Sequence, residues 1–478
     1  MRFFLCKDKS KFTKSLSIEQ YGDWYFIRDN INVWEGPDYL VLYCGYLIEG
    51  DIIEACKNFS FNDENGNFFA IKLTKDTYEI SLDYFQNHKI FVADKYGIEI
   101  SNYIPYMTIN KEDIVRTEPL DCDNFERELS DNETTTFYEH IKSFLPSYDY
   151  LQDVKDAIDQ EVWKNEDELA EYIHECMLSH SDVIKENYTN RFISLSEGID
   201  SAVQSQYFYF DQQYLYDFSP CDAGEMHLKY IKIQQAKFPN TNHYTFYSED
   251  NKKECIEHLV DSSCRWQSIL PTSKQINMCI EKPDIVLYGV NGNEMFVRDL
   301  VSHMLLLCLK YYEVDTEQMK RNMLNDLVLK QSHYGVTYSL PSAENEITVD
   351  IYIRKFLREW FLEDIETRHY LYKKSYEEFE HALLMLCTPK LYTRMISANN
   401  DVMCSSLYND RRIYHEYLKM DNRFLEGNAL DGPIQRTILK KFNHSFTTPS
   451  NDVLVGDYEE LFTTTYEATH ERDLGQYI

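Results

Sequence analysis

The chain is short of positive charge: its 478 residues carry 48 Lys and Arg against 80 Asp and Glu. The resulting formal charge of −32 argues against non-specific binding to DNA or RNA, which needs basic patches to displace counterions. Paired cysteines are missing as well. The 12 Cys contain no CxxC and no regular spacing, so neither a zinc site nor a disulfide framework is indicated, and reduced thiols in a cytosol fit best. Long apolar runs are also absent. The longest, VSHMLLLCLKYY from Val301, is interrupted by His303 and Lys310 and is too short to cross a bilayer, so it reads as a buried helix. The opening MRFFLCKDKSKF turns charged too early for the apolar region of a signal peptide. These absences together lead to the expectation of a soluble, cytoplasmic protein with no membrane partner.

What is present is apolar and aromatic. Hydrophobic residues make up 43% of the chain and aromatic residues 15%, chiefly 38 Tyr and 27 Phe, which is ample core and argues against disorder. At about 150 residues per domain, the length favours two or three domains. Residues 1–118 read as an antiparallel, β-rich domain: YLVLYCGYLI, NFFAIKLT, YEISLDYF and KIFVADKYGIEIS are β-type runs separated by polar turns such as NDENGN. Residues 119–160 are acidic and mixed and read as a connector. From 161 to 478 strands alternate with helices at first. EDELAEYIHECMLSHSDVIKE (Glu166–Glu186) has helical spacing and precedes the strand that opens NRFISLSEGIDSAVQSQYFYF (Asn190–Phe210). YLYDFSP, NHYTFYS and PDIVLYGV are further strands, and AGEMHLKYIKIQQAKF is a helix. Such alternation implies a parallel α/β sheet. Residues 297–425 are mostly helical in pattern.

The Asn190–Phe210 stretch carries the chemistry. An apolar strand runs into Ser196-Glu197-Gly198-Ile199-Asp200-Ser201 and then into a helical segment. Backbone N–H groups in a turn before a helix form a nest for anions, and the helix N-terminus adds positive potential. Gly198 permits close approach, Ser196 and Ser201 can donate hydroxyl hydrogen bonds, and Asp200 can hold Mg²⁺. On the loop alone, a strand-to-helix turn capped by Ser or Asp remains equally open.

The string resembles the pyrophosphate loop SGGxDS of ATP pyrophosphatases, and three further stretches point to the asparagine synthetase family. NGNFFAIKLTKDTYEISLDYFQNHKIFVADKYGIEISN resembles the core of that family's N-terminal glutaminase-type domain. IVLYGVNGNEMFVRD stands where the family has a strand ending in S-G-x-G-x-D-E. CSSLYNDRRIYHEYLKM (Cys404–Met420) and GPIQRTILKKF resemble its later helical segments. The resemblance implies an α+β N-terminal domain of αββα, Ntn-like type, followed by an α/β parallel-sheet ATP-pyrophosphatase (PP-loop) domain with a large helical part. It implies ATP and Mg²⁺ as cofactors and an AMP-forming ligase activity, in which a small-molecule or peptide carboxylate is adenylated for attack by an amine acceptor. Carried over by position, Ser196, Gly198, Asp200 and Ser201 match the pyrophosphate loop, and Phe218 and Ser219 match the adenosine-contacting segment. Gly289 and Glu294 match the second motif, with Glu294 catalytic, and Asp200 and Asn293 are the metal positions.

The departures from the family are specific. Its glutaminase nucleophile is a Cys directly after the initiator Met, whose free amine serves as base. Here that position is Arg2, so glutaminase activity is not expected, and the N-terminal domain becomes a relic or a docking surface for a protein partner or second copy, as in the similar lasso-peptide cyclases and β-lactam synthetases. Glu197 replaces the first loop glycine, and a carboxylate turned toward pyrophosphate would be repelled by about 4 kcal/mol per charge pair at 4 Å. Tyr288 replaces Ser, Val290 an acidic or other polar residue, and Asn293 the metal-binding Asp. A lysine that the family places beyond the GPIQRTILKKF helix is missing, since no Lys follows Lys441; His444 and Arg472 are candidates to replace it, while Lys440 and Lys441 read as solvated. These substitutions leave open an alternative: a non-catalytic member that binds a nucleotide or a macromolecular partner. A third reading, an enzyme that modifies a nucleobase or tRNA, sits poorly with the acidic charge. Asp410-Arg411-Arg412 can bind phosphate or form a structural ion pair. His227 and His243 lack a partner at metal-ligand spacing, and the aromatic clusters YFYF and YLYDF read as core.

Overall fold

The computed structural model describes residues 2–12, 17–61, 64–85, 87–109, 140–144, 165–195, 199–208, 212–218, 242–247, 283–289, 402–419 and 433–442, with Trp163, Lys232 and Gly292. Two antiparallel sheets form the N-terminal part. One runs β10-β8-β9-β1-β3-β2, from Ile141–Ser143, Phe91–Ala93, Glu99–Ser101, Arg2–Cys6, Trp24–Asp29 and Glu19–Tyr21. The other runs β4-β5-β6-β7, from Asn32–Glu35, Leu40–Leu47, Gly66–Leu73 and Tyr78–Leu82. Strand β10 comes from the stretch that the sequence assigns to a connector and pairs antiparallel with β8.

Strands β5 and β6 pair over eight residues each, from Leu40↔Leu73 to Leu47↔Gly66. Every residue of the two but Gly45 and Lys72 is buried, because both faces of this sheet are covered. Gly45 has a φ of 105°, and a Cβ there would lie 1.9 Å from the Asn67 carbonyl oxygen, so this crossing requires glycine. Helix α1 (Ile52–Asn58) is capped by Asp51, whose carboxylate accepts from Ile53 N at 2.7 Å and Glu54 N at 3.3 Å.

Helix α2 (Glu166–Asn187) joins the two halves. Asn165 caps it by accepting from Asp167 N, and Glu166, Asp167 and Glu168 in its first turn suit the positive end of the helix. Its buried face is Leu169, Ala170, Ile173, Cys176, Met177, His180, Ser181 and Ile184, a three-and-four spacing that is continuous over about 23 Å.

Behind α2 lies a five-stranded, wholly parallel sheet in the order β13-β12-β11-β14-β15. Its strands are Arg191–Leu195 (β11), Gln212–Phe218 (β12), His243–Tyr247 (β13), Ile285–Leu287 (β14) and Met403–Ser405 (β15). Helix α3 (Ile199–Gln206) follows β11, α4 (Arg411–Leu418) follows β15, and α5 (Pro433–Lys441) packs on α2 and α3. The antiparallel and parallel sheets share one apolar core, which runs from Phe3, Trp24 and Phe69 through Ile173 and Met177 to Ile193, Tyr408 and Ile438.

The boundary between them is also tied by buried polar groups. Tyr46 Oη lies 2.8 Å from His180 Nε2 and 2.9 Å from Ser405 Oγ. Asn67 Nδ2 donates to the Cys404 carbonyl at 2.8 Å, and Asn409 Nδ2 donates to Asn87 Oδ1 at 2.6 Å. No helix among the described residues is long and apolar enough to cross a membrane.

Candidate active site

In an open parallel sheet, ligands bind beyond the carboxyl ends of the strands, at the point where the strand order reverses. Numbered by chain position, the sheet order here is 3-2-1-4-5, so the reversal falls between β11 and β14. Three residues separate the end of β11 from the start of helix α3, and Tyr288 and Gly289 follow directly after β14. The Tyr288 N–H donates to the Ser405 carbonyl at 2.9 Å, which carries the β14–β15 pairing one residue further toward this end of the sheet.

Asp200 and Ser201 stand in the first turn of α3, where backbone N–H groups have no partner inside the helix. Two glycines press onto this turn. A Cβ on Gly289 would lie 2.6 Å from Ser201 N and 2.7 Å from Ser201 Cα, and one on Gly292 would lie 2.4 Å from Asp200 Oδ1. Neither site has room for a side chain.

Three further side chains fix the turn. Tyr408 Oη donates to the Asp200 carbonyl at 2.9 Å. Gln435 Nε2, on α5, donates to Asp200 Oδ1 at 2.7 Å and reaches the Gly292 carbonyl at 3.5 Å. Gln204 Oε1, one turn along α3, accepts from Leu407 N at 2.9 Å. Gln204 and Gln435 are both fully buried, and among the described residues Gln204 Nε2 and Gln435 Oε1 have no hydrogen-bond partner. A buried polar atom without a partner calls for one, such as an ordered water or an ion.

Of the residues singled out in the sequence, Asp200, Ser201 and Gly289 come together within this turn. Phe218 ends β12 at the same sheet edge. Ser196, Glu197, Gly198, Ser219, Val290, Asn293, Glu294, His227, His444 and Arg472 lie outside the described residues. Gly292, Gln204, Tyr408 and Gln435 are additions that the sequence reading did not make.

The Asp410-Arg411-Arg412 question has a structural answer. Asp410 is fully buried, and its Oδ1 accepts from Asn65 Nδ2 at 2.8 Å and from Arg412 N and Nε, both at 3.0 Å. Its Oδ2 accepts from Arg412 Nη2 at 2.6 Å. Asn65 is used at both ends, since its Oδ1 accepts from Arg411 N at 3.0 Å. Arg412 is held above its ordinary range; the Asp410 hydrogen bond and charge outweigh the larger single effect, desolvation, which acts downward. This triplet caps α4 and seals the sheets together. Lys440 is exposed, and Lys441 is ion-paired with Glu171. Tyr207 and Phe208 are buried in the core.

No protein-family model matches the chain, and a search of curated proteins returns no match.

Proposed function

We propose that the protein is an ATP-dependent, AMP-forming carbon–nitrogen ligase, related in fold to asparagine synthetases, that works at the carboxyl edge of the parallel sheet. One observation carries this reading. The carboxylate of Asp200 sits on the first turn of a helix at the strand-order reversal, and two glycines there admit backbone but no side chain.

The residues present fit a nucleotide with a divalent cation. A helix start supplies donors for phosphate oxygens, and the open Gln435 Oε1 beside Asp200 supplies an acceptor for a hydrated cation. Mg²⁺ would neutralise the charge that otherwise sets Asp200 against a phosphate, a repulsion of about 4 kcal/mol at 4 Å. Ser196, Gly198 and Ser201 would line the pyrophosphate, and Phe218 and Ser219 the adenosine. Asn293 would share the cation, and Glu294 would face the reacting groups.

In the reaction a substrate carboxylate oxygen attacks the α-phosphorus of ATP and pyrophosphate leaves. An amine then attacks the activated carbonyl carbon, AMP leaves, and the amine nitrogen loses a proton. In this reading the amine enters free rather than from glutamine; the Arg2 guanidinium lies over the Tyr103 ring at 3.8 Å.

The test is carboxylate-dependent exchange of labelled pyrophosphate into ATP, screened over amino acids and short peptides. Exchange that disappears in Asp200→Asn supports the ligase. ATP binding by calorimetry without exchange leaves a nucleotide-binding protein, and no ATP binding, unrestored by Glu197→Gly, removes both readings.

A further inference from the structure

Gln435 is a buried amide with one end committed and one end open. Its neighbours Ile434, Ile438 and Leu439 are buried in the packing of α5, so the stem that carries the amide is fixed. Its Nε2 serves Asp200 Oδ1 and the Gly292 carbonyl, two acceptors on separate chain segments. The amide cannot be turned over while Asp200 is ionised, because Oε1 would then face a carboxylate oxygen with no proton between them. Oε1 is therefore left as an acceptor, fully buried and without a hydrogen-bond partner among the described residues, on the side chain that holds Asp200.

We infer that Gln435 is the positioning residue of a cation site on Asp200: its N–H fixes the carboxylate, and its Oε1 accepts from a water of the hydrated divalent cation. This rests on the ligase reading for the identity of the cation as Mg²⁺, but not for the existence of the site. A ligating carboxylate is commonly oriented by a hydrogen-bonded neighbour, and removing such a neighbour lowers metal affinity by about tenfold or more. The same contact ties the cation to helix α5, and through it to α2, on which α5 packs.

The test uses the full chain and Mn²⁺ as a paramagnetic probe, read by electron paramagnetic resonance and calorimetry with no substrate present. Gln435→Met, close in volume and without either amide end, is expected to weaken Mn²⁺ about tenfold. Gln435→Glu places a second carboxylate beside Asp200. It is expected to melt lower than the parent protein in EDTA, to bind Mn²⁺ more tightly, and to recover its melting temperature when Mg²⁺ is added. A purely structural Gln435 would give the lower melt without the recovery. In the unaltered protein, hydrogen exchange over residues 433–442 should slow when Mg²⁺ is added, which needs no variant to fold. Mn²⁺ affinity within twofold of the parent in Gln435→Met overturns the proposal. So does Gln435→Glu that Mg²⁺ does not rescue, or unchanged exchange over 433–442. If Mn²⁺ binding shifts as expected while pyrophosphate exchange is absent, the cation site stands and the ligase reading falls; exchange that survives with Mn²⁺ binding indifferent to position 435 does the reverse.

Discussion

Asp410 and Asp200 are two carboxylates joined by one short stretch of chain, and they are built for different ends. Asp410 is fully buried, and both its oxygens are taken by Asn65 and Arg412, so its charge is met by a guanidinium. Two residues before it, Tyr408 reaches the Asp200 carbonyl. Asp200 is half-buried, and the amide that orders it is neutral. A carboxylate saturated by a guanidinium and several donors is architecture, whereas Asp200 stands on the first turn of α3, where the neutral amide of Gln435 orients it. The boundary around Asp410 is not wholly closed, since Asn67 Oδ1 is buried with no hydrogen-bond partner among the described residues. Around Asp200, the open atoms belong to the two glutamines that hold the turn in place.

The largest expected effect comes from breaking the closed member. Arg412→Met leaves Asp410 as a buried charge without its counter-ion, and loss of one partner of a buried pair costs about 3–5 kcal/mol. It also removes donors to the Cys176 carbonyl and Ser179 Oγ on α2. Urea unfolding should show that loss whether or not ATP and Mg²⁺ are present, because the site is not altered directly. A loss below about 1 kcal/mol would mean that the boundary is held by its apolar core alone.

Acid should open the same boundary. Burial lowers His180 to about 4 and His88 to about 3, against about 6.5 in an unfolded chain. Below pH 6.5 the unfolded chain takes up protons that these folded imidazoles refuse, so their contribution to stability falls as pH falls. Asp83, which accepts from Asn87 N and Nδ2, is raised by burial to about 7, and its sign is opposite. Between about 4 and 7 its folded form keeps a proton that the unfolded form has lost, so its contribution falls as pH rises. From pH 6.5 to 4 the two histidines outweigh the one carboxyl, and the net loss of stability is on the order of 3 kcal/mol. Asp83→Asn removes the opposing term and should steepen the fall of the urea midpoint with acid. A midpoint that is flat from pH 6.5 to 4.5 in both proteins would show that these groups are already hydrated.

The two regions also differ in how much of them the sequence reveals. β5 and β7 lie within YLVLYCGYLI and YEISLDYF, and β6 lies within NFFAIKLT but for Gly66 at its start, because a chain that alternates buried and turn-forming stretches states its strands locally. The parallel strands that contain FISL, YLYDF and HYTFY, and the one inside DIVLY, announce themselves in the same way. β15 does not, since Met403–Ser405 is three residues long and has no periodicity to read. At the site, Asp200, Ser201 and Gly289 belong to strings with a local pattern. Gln204, Tyr408 and Gln435 do not: their partners are 203, 208 and 235 residues away in the chain, and a glutamine on a helix looks like any solvated glutamine until the helix is placed. The closed pair was ambiguous for a related reason. Whether Asp410-Arg411-Arg412 grips phosphate or itself depends on burial, which three adjacent charges do not encode.

A smaller effect is expected where glycine brings β14 against α3. Gly289→Ala sets a methyl 2.6 Å from Ser201 N, a backbone atom that moves only if the helix start moves. Overpacking of this kind costs about 1–3 kcal/mol. Because the displaced atoms are those proposed to cradle pyrophosphate, ATP affinity should fall with stability, which calorimetry and a urea curve on one preparation would separate from a purely structural loss.

The smallest change in stability is expected at Asp200. Asparagine keeps the shape and still accepts from Gln435, so Asp200→Asn forfeits mainly the attraction between a carboxylate and the helix N-terminus, about 0.3–1 kcal/mol. The functional consequence is the opposite in size. With ligand at about 100 times its dissociation constant, the parent protein should gain about 2.7 kcal/mol from ATP and Mg²⁺, and the variant should gain none. Thermal melts of both proteins, with and without nucleotide, measure the two quantities together. If Asp200→Asn unfolds as badly as Arg412→Met, or keeps its nucleotide-dependent shift, the two carboxylates are of one kind, and Asp200 no longer marks an active site.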